Sequence, residues 1–91
     1  MNNKLRSLPA PATTDHSAYE IMRVWIDGEV QKFSILTDIW DDPTAWGLLL
    51  VDLARHIAYA ESQNSDQDYK EILNRIKHGF DIEWEHPTGD V

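Results

Sequence analysis

Residues 42–62 read DPTAWGLLLVDLARHIAYAES and carry the densest run of apolar side chains in the chain. The segment opens with Asp42 and Pro43, which is typical of a helix start. An aspartate at the N-cap accepts from free backbone N–H groups, and proline is favoured at the first helical position. We therefore predict a central helix that begins at Asp42. Its apolar stripe, at spacings of three and four, consists of Trp46, Leu49, Leu50, Leu53, Ile57 and Ala60.

Small residues lie beside this stripe, at Gly47, Ala54 and Ala58. They would allow another backbone to approach closely. A glycine inside a helix costs about 1 kcal/mol relative to alanine. A closely packed neighbour at Gly47 would offset that cost, and the alternative is that the helix simply tolerates Gly47.

Two strand-like segments precede the helix, at residues 19–26 (YEIMRVWI) and 30–37 (VQKFSILT). Both are rich in β-branched and aromatic residues, which favours β-strands. Asp27 and Gly28 stand between them and are a favoured pair for a two-residue type I′ turn. The sequence therefore predicts a β-hairpin.

The predicted turn places Ile26 opposite Glu29, and side-chain alternation then sorts the hairpin into two faces. The inner face, which we expect to lie on the helices, collects Met22, Val24, Ile26, Phe33 and Ile35. The outer face collects Tyr19, Ile21, Arg23, Trp25, Val30, Lys32, Ser34 and Leu36. Arg23 and Lys32 form a polar middle on this outer face, between large apolar groups.

A second helix is predicted over residues 65–86, with Ser65 and Asp68 as a capping box. Its apolar stripe consists of Tyr69, Ile72, Leu73, Ile76 and Phe80. Two interpretations remain open for residues 80–86. Apolar and acidic residues alternate there as in a strand, whereas the spacing of Trp84 from the stripe favours a continued helix.

These elements predict an α+β fold of order β-β-α-α, in which an N-terminal hairpin packs on two antiparallel helices. The predicted core is completed by Leu49, Leu53, Ile57, Ile72, Ile76 and Phe80. Residues 1–18 are expected to form a disordered tail, residues 19–88 a single α+β domain, and residues 89–91 a frayed end. Ile39 and Trp40 are expected to hold the connecting loop against the start of the central helix.

The composition excludes several function classes. The chain has 91 residues, no cysteine and a net charge of −8. Without cysteine there is no thiolate metal site, no structural disulfide and no thiol catalysis. The negative charge argues against nucleic-acid and membrane partners and leaves a basic protein partner open. No signal peptide or membrane span is visible, so we expect a cytoplasmic protein.

One polar group on the central helix is a candidate ligand site: Asp52, Arg55, His56 and Tyr59. Asp52 can pair with Arg55 or His56 at helical spacing, and a neutral imidazole can bind a metal or carry a proton. The alternative is a solvated helix face with an ordinary ion pair. Glu83 and His86 match half of a di-iron motif, which needs further carboxylates, so we predict no metal, cofactor or catalytic residue.

Three tracts resemble a family of short bacterial proteins that is classified only as a domain of unknown function. They are residues 20–25 (EIMRVW), 42–56 (DPTAWGLLLVDLARH) and 80–88 (FDIEWEHPT). The resemblance covers residues 19–88 and implies a compact α+β domain of this length. It implies no activity, cofactor or catalytic residue.

The sequence leaves three function hypotheses. The first is a non-enzymatic interaction or regulatory module that forms a homodimer through apolar residues of the outer face: Tyr19, Ile21, Trp25, Val30 and Leu36. The second is a small-ligand or metal-binding protein that uses Asp52, Arg55, His56 and Tyr59. The third is a subunit that contributes residues to a shared active site.

Overall fold

The computed structural model describes residues 8–13 and 15–89 of the chain. It contains β1 (Met22–Asp27), β2 (Val30–Ile35), α1 (Thr44–Gln63) and α2 (Tyr69–Glu85). The predicted α+β class and β-β-α-α order are thereby confirmed. Contacts divide the chain into two compact units, Met1–Ile39 with the hairpin and Trp40–Val91 with the helices. The predicted packing of the hairpin on the helices stays a prediction.

The hairpin turn differs from the predicted one by one residue. Asp27 lies opposite Val30, so the two-residue loop is Gly28-Glu29, and the prediction of Ile26 opposite Glu29 is wrong. Gly28 has a φ of 66°, whereas Glu29 has a negative φ. A type I′ turn needs positive φ at both central residues, but type II′ needs it only at the first, where glycine fits best. The single glycine therefore takes the first loop position.

The two faces of the hairpin survive this change of register. Val24 lies opposite Phe33, and Trp25 lies opposite Lys32. Each β1 residue pairs two positions further along β2 than predicted, as Ile26 does with Gln31 and not with Glu29. An offset of two residues keeps every side chain on its predicted side. Beyond the strands, the Leu36 N–H donates to the Ile21 carbonyl oxygen at 2.9 Å. The strand side chains therefore fall into the two predicted sets, and whether the inner set lies on the helices stays a prediction.

Part of the segment that was predicted to be a disordered tail forms a local turn. The Ala18 N–H donates to the Asp15 carbonyl oxygen at 3.1 Å. The Asp15 carboxylate accepts from the Ser17 hydroxyl and from its backbone N–H. These bonds, the hydroxyl first, hold the pKa of Asp15 below its ordinary value. Residues 8–13 belong to no helix or strand, and the predicted disorder of residues 1–7 lies outside the described residues.

The start of α1 depends on Asp42. The helix begins at Thr44, and Pro43 before it already has helical φ and ψ of −57° and −16°. The Asp42 carboxylate accepts from the Thr44 N–H at 3.0 Å, and the Asp42 carbonyl oxygen accepts from the Ala45 N–H. Asp42 therefore satisfies two donors of the first turn, as the sequence predicts.

We expect Asp42→Ala to lower the midpoint of thermal unfolding by a few degrees near neutral pH, because the Thr44 N–H loses its acceptor. The hydrogen bonds from Thr44, the backbone one first, hold the pKa of Asp42 below its ordinary value of 3.8. A carboxyl whose pKa is depressed in the folded state stabilises fully above its unfolded pKa. Its contribution is lost as the pH falls through the lower folded-state pKa. The difference between the two proteins should therefore shrink in strong acid.

Asp42→Asn is the matched control, because asparagine keeps an acceptor oxygen but does not titrate. It should melt close to the wild-type protein at neutral pH, and it should lack the part of the acid dependence that comes from Asp42. Identical midpoints for Asp42→Ala and the wild type at neutral pH would show that the carboxylate does not cap α1.

The second helix begins later than the predicted Ser65. Its first residue is Tyr69, and the Asp68 carboxylate accepts from the N–H groups of Lys70 and Glu71 at 3.1 and 3.3 Å. The Ser65 hydroxyl donates instead to the Glu61 carbonyl oxygen in the last turn of α1, at 2.9 Å. The predicted Ser65 cap is wrong because this hydroxyl serves the end of the preceding helix.

Residues 80–85 are helical, which decides between the two interpretations of this segment in favour of the continued helix. Phe80 and Trp84 stack at one helical turn apart, with ring centroids 5.5 Å apart and an angle of 18° between the rings. After the helix, the Thr88 N–H donates to the Glu83 carboxylate at 2.8 Å. The chain beyond His86 is thus held to α2 at Thr88, and the last two residues of the predicted frayed end lie outside the described part.

The buried residues of the helical unit are small or aliphatic. Of the described side chains only Ala58, at 0% exposure, and Ile72, at 7%, are buried. The half-buried residues of the two helices include Ala54 and Ser62 in α1 and Tyr69, Leu73 and Ile76 in α2. The Ala54–Ala58 edge of α1 lies beside its large apolar stripe, as predicted, and small side chains there let a second helix approach.

The predicted core is confirmed in part within the helical unit. Leu49 and Ile76 are half-buried and Ile72 is buried, but Leu53, Ile57 and Phe80 are exposed. The large stripe of α1 was expected to fill the core because it carries the most apolar surface. Beside that stripe Ala58 is buried and Ala54 is half-buried, and whether the hairpin covers Leu53, Ile57 and Phe80 stays a prediction.

Two further expectations concern the start of α1. Trp40 packs edge-on against Trp46, with ring centroids 5.0 Å apart, so Trp40 holds the loop to the helix as predicted.

A Cβ added at Gly47 would meet no atom within 4 Å in the described chain outside its own helical turns. Of the two interpretations of Gly47, the structure therefore favours simple tolerance over a packed neighbour.

Candidate functional site

The polar residues of α1 lie beside a shallow depression in the helical unit. Three of the four predicted ligand-site residues, Arg55, His56 and Tyr59, line it together with Tyr69 of α2. Its volume is about 420 Å³, and it is open to solvent. Because the depression is open, a small molecule bound there would stay partly exposed. The fourth predicted residue, Asp52, does not line the depression but contacts two residues that do.

Arg55 is held loosely. Its Nη1 atom lies 3.7 Å from Oδ1 of Asp52, and both side chains are more than half exposed. This distance is short enough for an ion pair but too long for a hydrogen bond. An exposed pair of this kind contributes little to stability. The guanidinium therefore keeps its planar set of N–H donors available for another acceptor.

His56 has a fixed orientation. Its Nδ1 atom lies 2.8 Å from the backbone carbonyl oxygen of Asp52, one helical turn earlier. Since a carbonyl oxygen can only accept, the Nδ1–H must be the donor in this bond. In the neutral ring the lone pair then belongs to Nε2. The bond to Asp52 thus selects the tautomer in which Nε2 can accept a proton or a donor.

Tyr69 is the lining residue that the sequence did not indicate. It is half-buried and is the first residue of α2. A five-residue connection, residues 64–68, folds α2 back onto α1 and places this ring beside Tyr59 and Arg55. The sequence placed Tyr69 inside a helix that began at Ser65, on an apolar stripe. Only the late start at the Asp68 cap could have suggested that Tyr69 lies at the corner between the helices.

The outer face of the hairpin is the other candidate surface. Its exposed apolar side chains are Tyr19, Trp25, Val30 and Leu36, while Ile21 is half-buried. The outer face also carries two short ion pairs. Arg23 Nε donates to Glu20 Oε1 and Lys32 Nζ donates to Asp27 Oδ2, both at 2.6 Å. The two cations that the sequence left without assigned partners are therefore paired within their own hairpin.

Among residues 8–13 and 15–89, no three histidine, aspartate or glutamate side chains converge in a way that could hold a metal ion. In the half-motif Glu83-x-x-His86, the carboxylate accepts from the backbone N–H and the hydroxyl of Thr88. Its local role is to hold the turn after α2. Of the described helices, none has the length and hydropathy to cross a bilayer.

A family model described as "Domain of unknown function (DUF5076)" matches residues 6–88. The chain belongs to this family. The match confirms the resemblance seen in the sequence and extends it from residue 19 back to residue 6.

One solved structure is similar over nearly the whole chain. It is described as "Structure of a putative pyruvate dehydrogenase from the photosynthetic bacterium Rhodopseudomonas palustrus CGA009". It is 31% identical with a TM-score of 0.74, and the alignment covers 94% of this chain and 90% of that chain. None of the curated proteins matches the chain significantly.

Proposed function

We propose that the chain is a small acidic interaction or regulatory module that is not an enzyme and that self-associates through the outer face of its hairpin. The apolar contacts of this homodimer are Tyr19, Ile21, Trp25, Val30 and Leu36. The observation that supports it most directly is that this face is both apolar and electrically balanced. The partner that binds this face is a second copy of the same chain.

The need for a partner comes from the hairpin itself. A two-stranded antiparallel ribbon is at best marginally stable in water unless something covers a face. Trp25 is 44% exposed in the single chain, and Val30 beyond it is 58% exposed. With Tyr19 and Leu36 they give this face four exposed apolar side chains, and exposed apolar groups of this kind usually mark an interface.

Charge explains why a second acidic chain can approach this face. The whole chain carries a net charge of −8, so two copies repel each other on average. On the outer face, however, Arg23 offsets Glu20 and Lys32 offsets Asp27. The excess negative charge therefore lies elsewhere. A neutral apolar face is where two like-charged chains can meet at the lowest electrostatic cost.

The two ion pairs also lower the cost of covering the face. Burying an unpaired charge at an interface is strongly unfavourable, whereas burying a charge that keeps its ion-pair partner costs much less free energy. Both pairs are already formed in the single chain, so neither cation needs a partner from the second copy. Each hairpin also presents two open strand edges, which a two-fold dimer can pair or cover.

The rest of the surface suits a basic protein as a further partner, because the acidic residues outside the hairpin face give it a negative field. A ligand site on α1 is compatible with this association, since none of its residues belongs to the hairpin. The description of the similar Rhodopseudomonas structure names an enzyme. Turnover of pyruvate by the purified chain would overturn the non-enzymatic part of the proposal.

Site-specific crosslinking tests which face is the interface, because the chain has no cysteine of its own. Ser34 lies on the outer face opposite Arg23, in the middle of the patch. We expect Ser34→Cys, treated with a short bismaleimide at micromolar concentration, to give mostly covalent dimers. Near a two-fold axis, the two copies of this residue would come within reach of the reagent.

Gln31→Cys is the matched control, because Gln31 belongs to the same strand but lies on the inner face, opposite Ile26. The inner face also exposes apolar side chains, at Val24, Phe33 and Ile35. We expect Gln31→Cys to remain mostly uncrosslinked. Efficient crosslinking of Gln31→Cys but not of Ser34→Cys would place the contact on the wrong face and contradict the proposal.

A further inference from the structure

We propose that the depression lined by Arg55, His56, Tyr59 and Tyr69 binds a small carboxylate that carries an aromatic ring. Arg55 would hold the carboxylate, His56 would supply a further polar contact, and the two tyrosines would contact the ring. The site lies wholly within the helical unit. It therefore does not depend on self-association through the hairpin.

The carboxylate half of this proposal rests on Arg55. A guanidinium presents a planar fork of N–H donors that matches the two oxygens of a carboxylate. None of the hydrogen bonds among the described residues uses the Arg55 side chain, and its ion pair with Asp52 is long at 3.7 Å. The donors are therefore not committed to a hydrogen bond within the described part of the chain.

His56 adds a second polar contact at a defined place. Because its Nδ1–H donates to the Asp52 carbonyl oxygen, the free position of the ring is Nε2. A charged imidazole would donate from Nε2 to the carboxylate, and a neutral one would accept from a hydroxyl or amine of the ligand. His56 follows Arg55 directly in α1, and both line the same depression.

The aromatic half rests on the two tyrosines. Tyr59 is 60% exposed, and Tyr69, which lines the same depression, is half-buried. The two rings are not stacked on each other, since the described chain holds two close ring pairs and both lie elsewhere. Space of about 420 Å³ lies among the four lining residues. A phenyl ring can lie against either tyrosine in an offset or edge-on arrangement.

The surrounding charges explain why both halves of the ligand are needed. Asp52 partly neutralises Arg55, and the chain as a whole is acidic. A small anion without apolar surface would gain little from an exposed, partly compensated guanidinium. A ring without a charge would leave the guanidinium unused. A cationic ring would meet Arg55 as a like charge.

Four small probes separate these contributions. They are phenylacetate, which has ring and charge; phenylacetamide, which has the ring alone; acetate, which has the charge alone; and benzylamine, which reverses the charge. We expect phenylacetate to bind about tenfold tighter than each of the other three, as one charge-assisted hydrogen bond supplies about that factor. Amide and side-chain NMR shifts on titration give the dissociation constants and should locate the changes at Arg55 and His56.

Variants of two arginines supply the control. Arg55→Gln should weaken phenylacetate binding by about tenfold and leave the affinity for phenylacetamide unchanged. Arg75→Gln removes another exposed arginine of the helical unit that does not line the depression, and it should change neither affinity. Because both side chains are exposed, both variants should keep the wild-type circular dichroism spectrum.

Several results would overturn this assignment. Equal affinity for phenylacetate in Arg55→Gln and in the wild type would remove the carboxylate contact. The proposal would also be contradicted if phenylacetate showed no detectable binding at millimolar concentration, or if benzylamine bound more tightly than phenylacetate. The molecular mass of the protein under the same conditions reports self-association separately, so a failed site and a failed dimer are distinguishable.

Discussion

Trp25→Glu is expected to separate the proposed dimer into single chains. Trp25 lies near the middle of the outer face, opposite Lys32, and is 44% exposed in the single chain. In a two-fold dimer the substitution would remove two central aromatic contacts and bring two negative charges into one apolar interface. We expect the dimer dissociation constant to rise by at least about 30-fold, the effect of losing one interface hot spot.

The matched control is Trp84→Glu, which makes the same chemical change at a tryptophan of α2 that is 72% exposed. Trp84 stacks on Phe80 but lies outside the hairpin, so this variant should keep the wild-type mass. Light scattering after size exclusion distinguishes the three proteins. If Trp84→Glu dissociates the protein and Trp25→Glu does not, the interface lies on the helical unit.

Ala58→Leu is expected to have the largest effect on the stability of the helical unit. Ala58 has no exposed surface, and it lies on the small-residue edge of α1. Three additional carbon atoms at this position would push the helices apart or force side chains away from their preferred rotamers. Overpacking of this kind typically costs about 1–3 kcal/mol in the free energy of unfolding.

Ala60→Leu is the control, because Ala60 belongs to the same helix and is exposed. It should change the free energy of unfolding by less than about 0.5 kcal/mol. Urea titrations of both variants must be made at one protein concentration, since a self-associating protein gains stability with concentration. Equal midpoints for Ala58→Leu and Ala60→Leu would show that the helices do not pack through Ala58.

The sequence predicted the two faces of the hairpin correctly but not its register. Alternation of side chains depends only on the strand conformation, so Trp25 and Val24 were assigned to the correct sides. The register depends on where the positive φ falls in the turn. Asp27-Gly28 and Gly28-Glu29 are both acceptable loops by composition, and the second is realised because it requires positive φ at Gly28 alone.

For the helices too, one feature was predictable from the sequence and another was not. Capping residues act over two or three positions, which is why the role of Asp42 could be predicted from its neighbours. Which side of α1 meets α2 depends on how closely two helices can approach, and that is a property of the pair. The large stripe that includes Leu53 gave the stronger pattern, yet Ala58 is the buried residue.

The candidate ligand site was partly predictable for the same reason. Arg55, His56 and Tyr59 follow one another at helical spacing, so their shared face could be inferred from α1 alone. Tyr69 reaches the depression only because α2 starts at the Asp68 cap and folds back over a five-residue connection. That geometry depends on the choice between Ser65 and Asp68 as caps, which local sequence did not decide.

The most direct test of the proposed self-association is sedimentation equilibrium of the wild-type protein across the micromolar range. The proposed dimer predicts a mass of about 21 kDa, twice the 10.5 kDa of one chain, with dissociation visible only on dilution. A mass of 10.5 kDa at every concentration would contradict it.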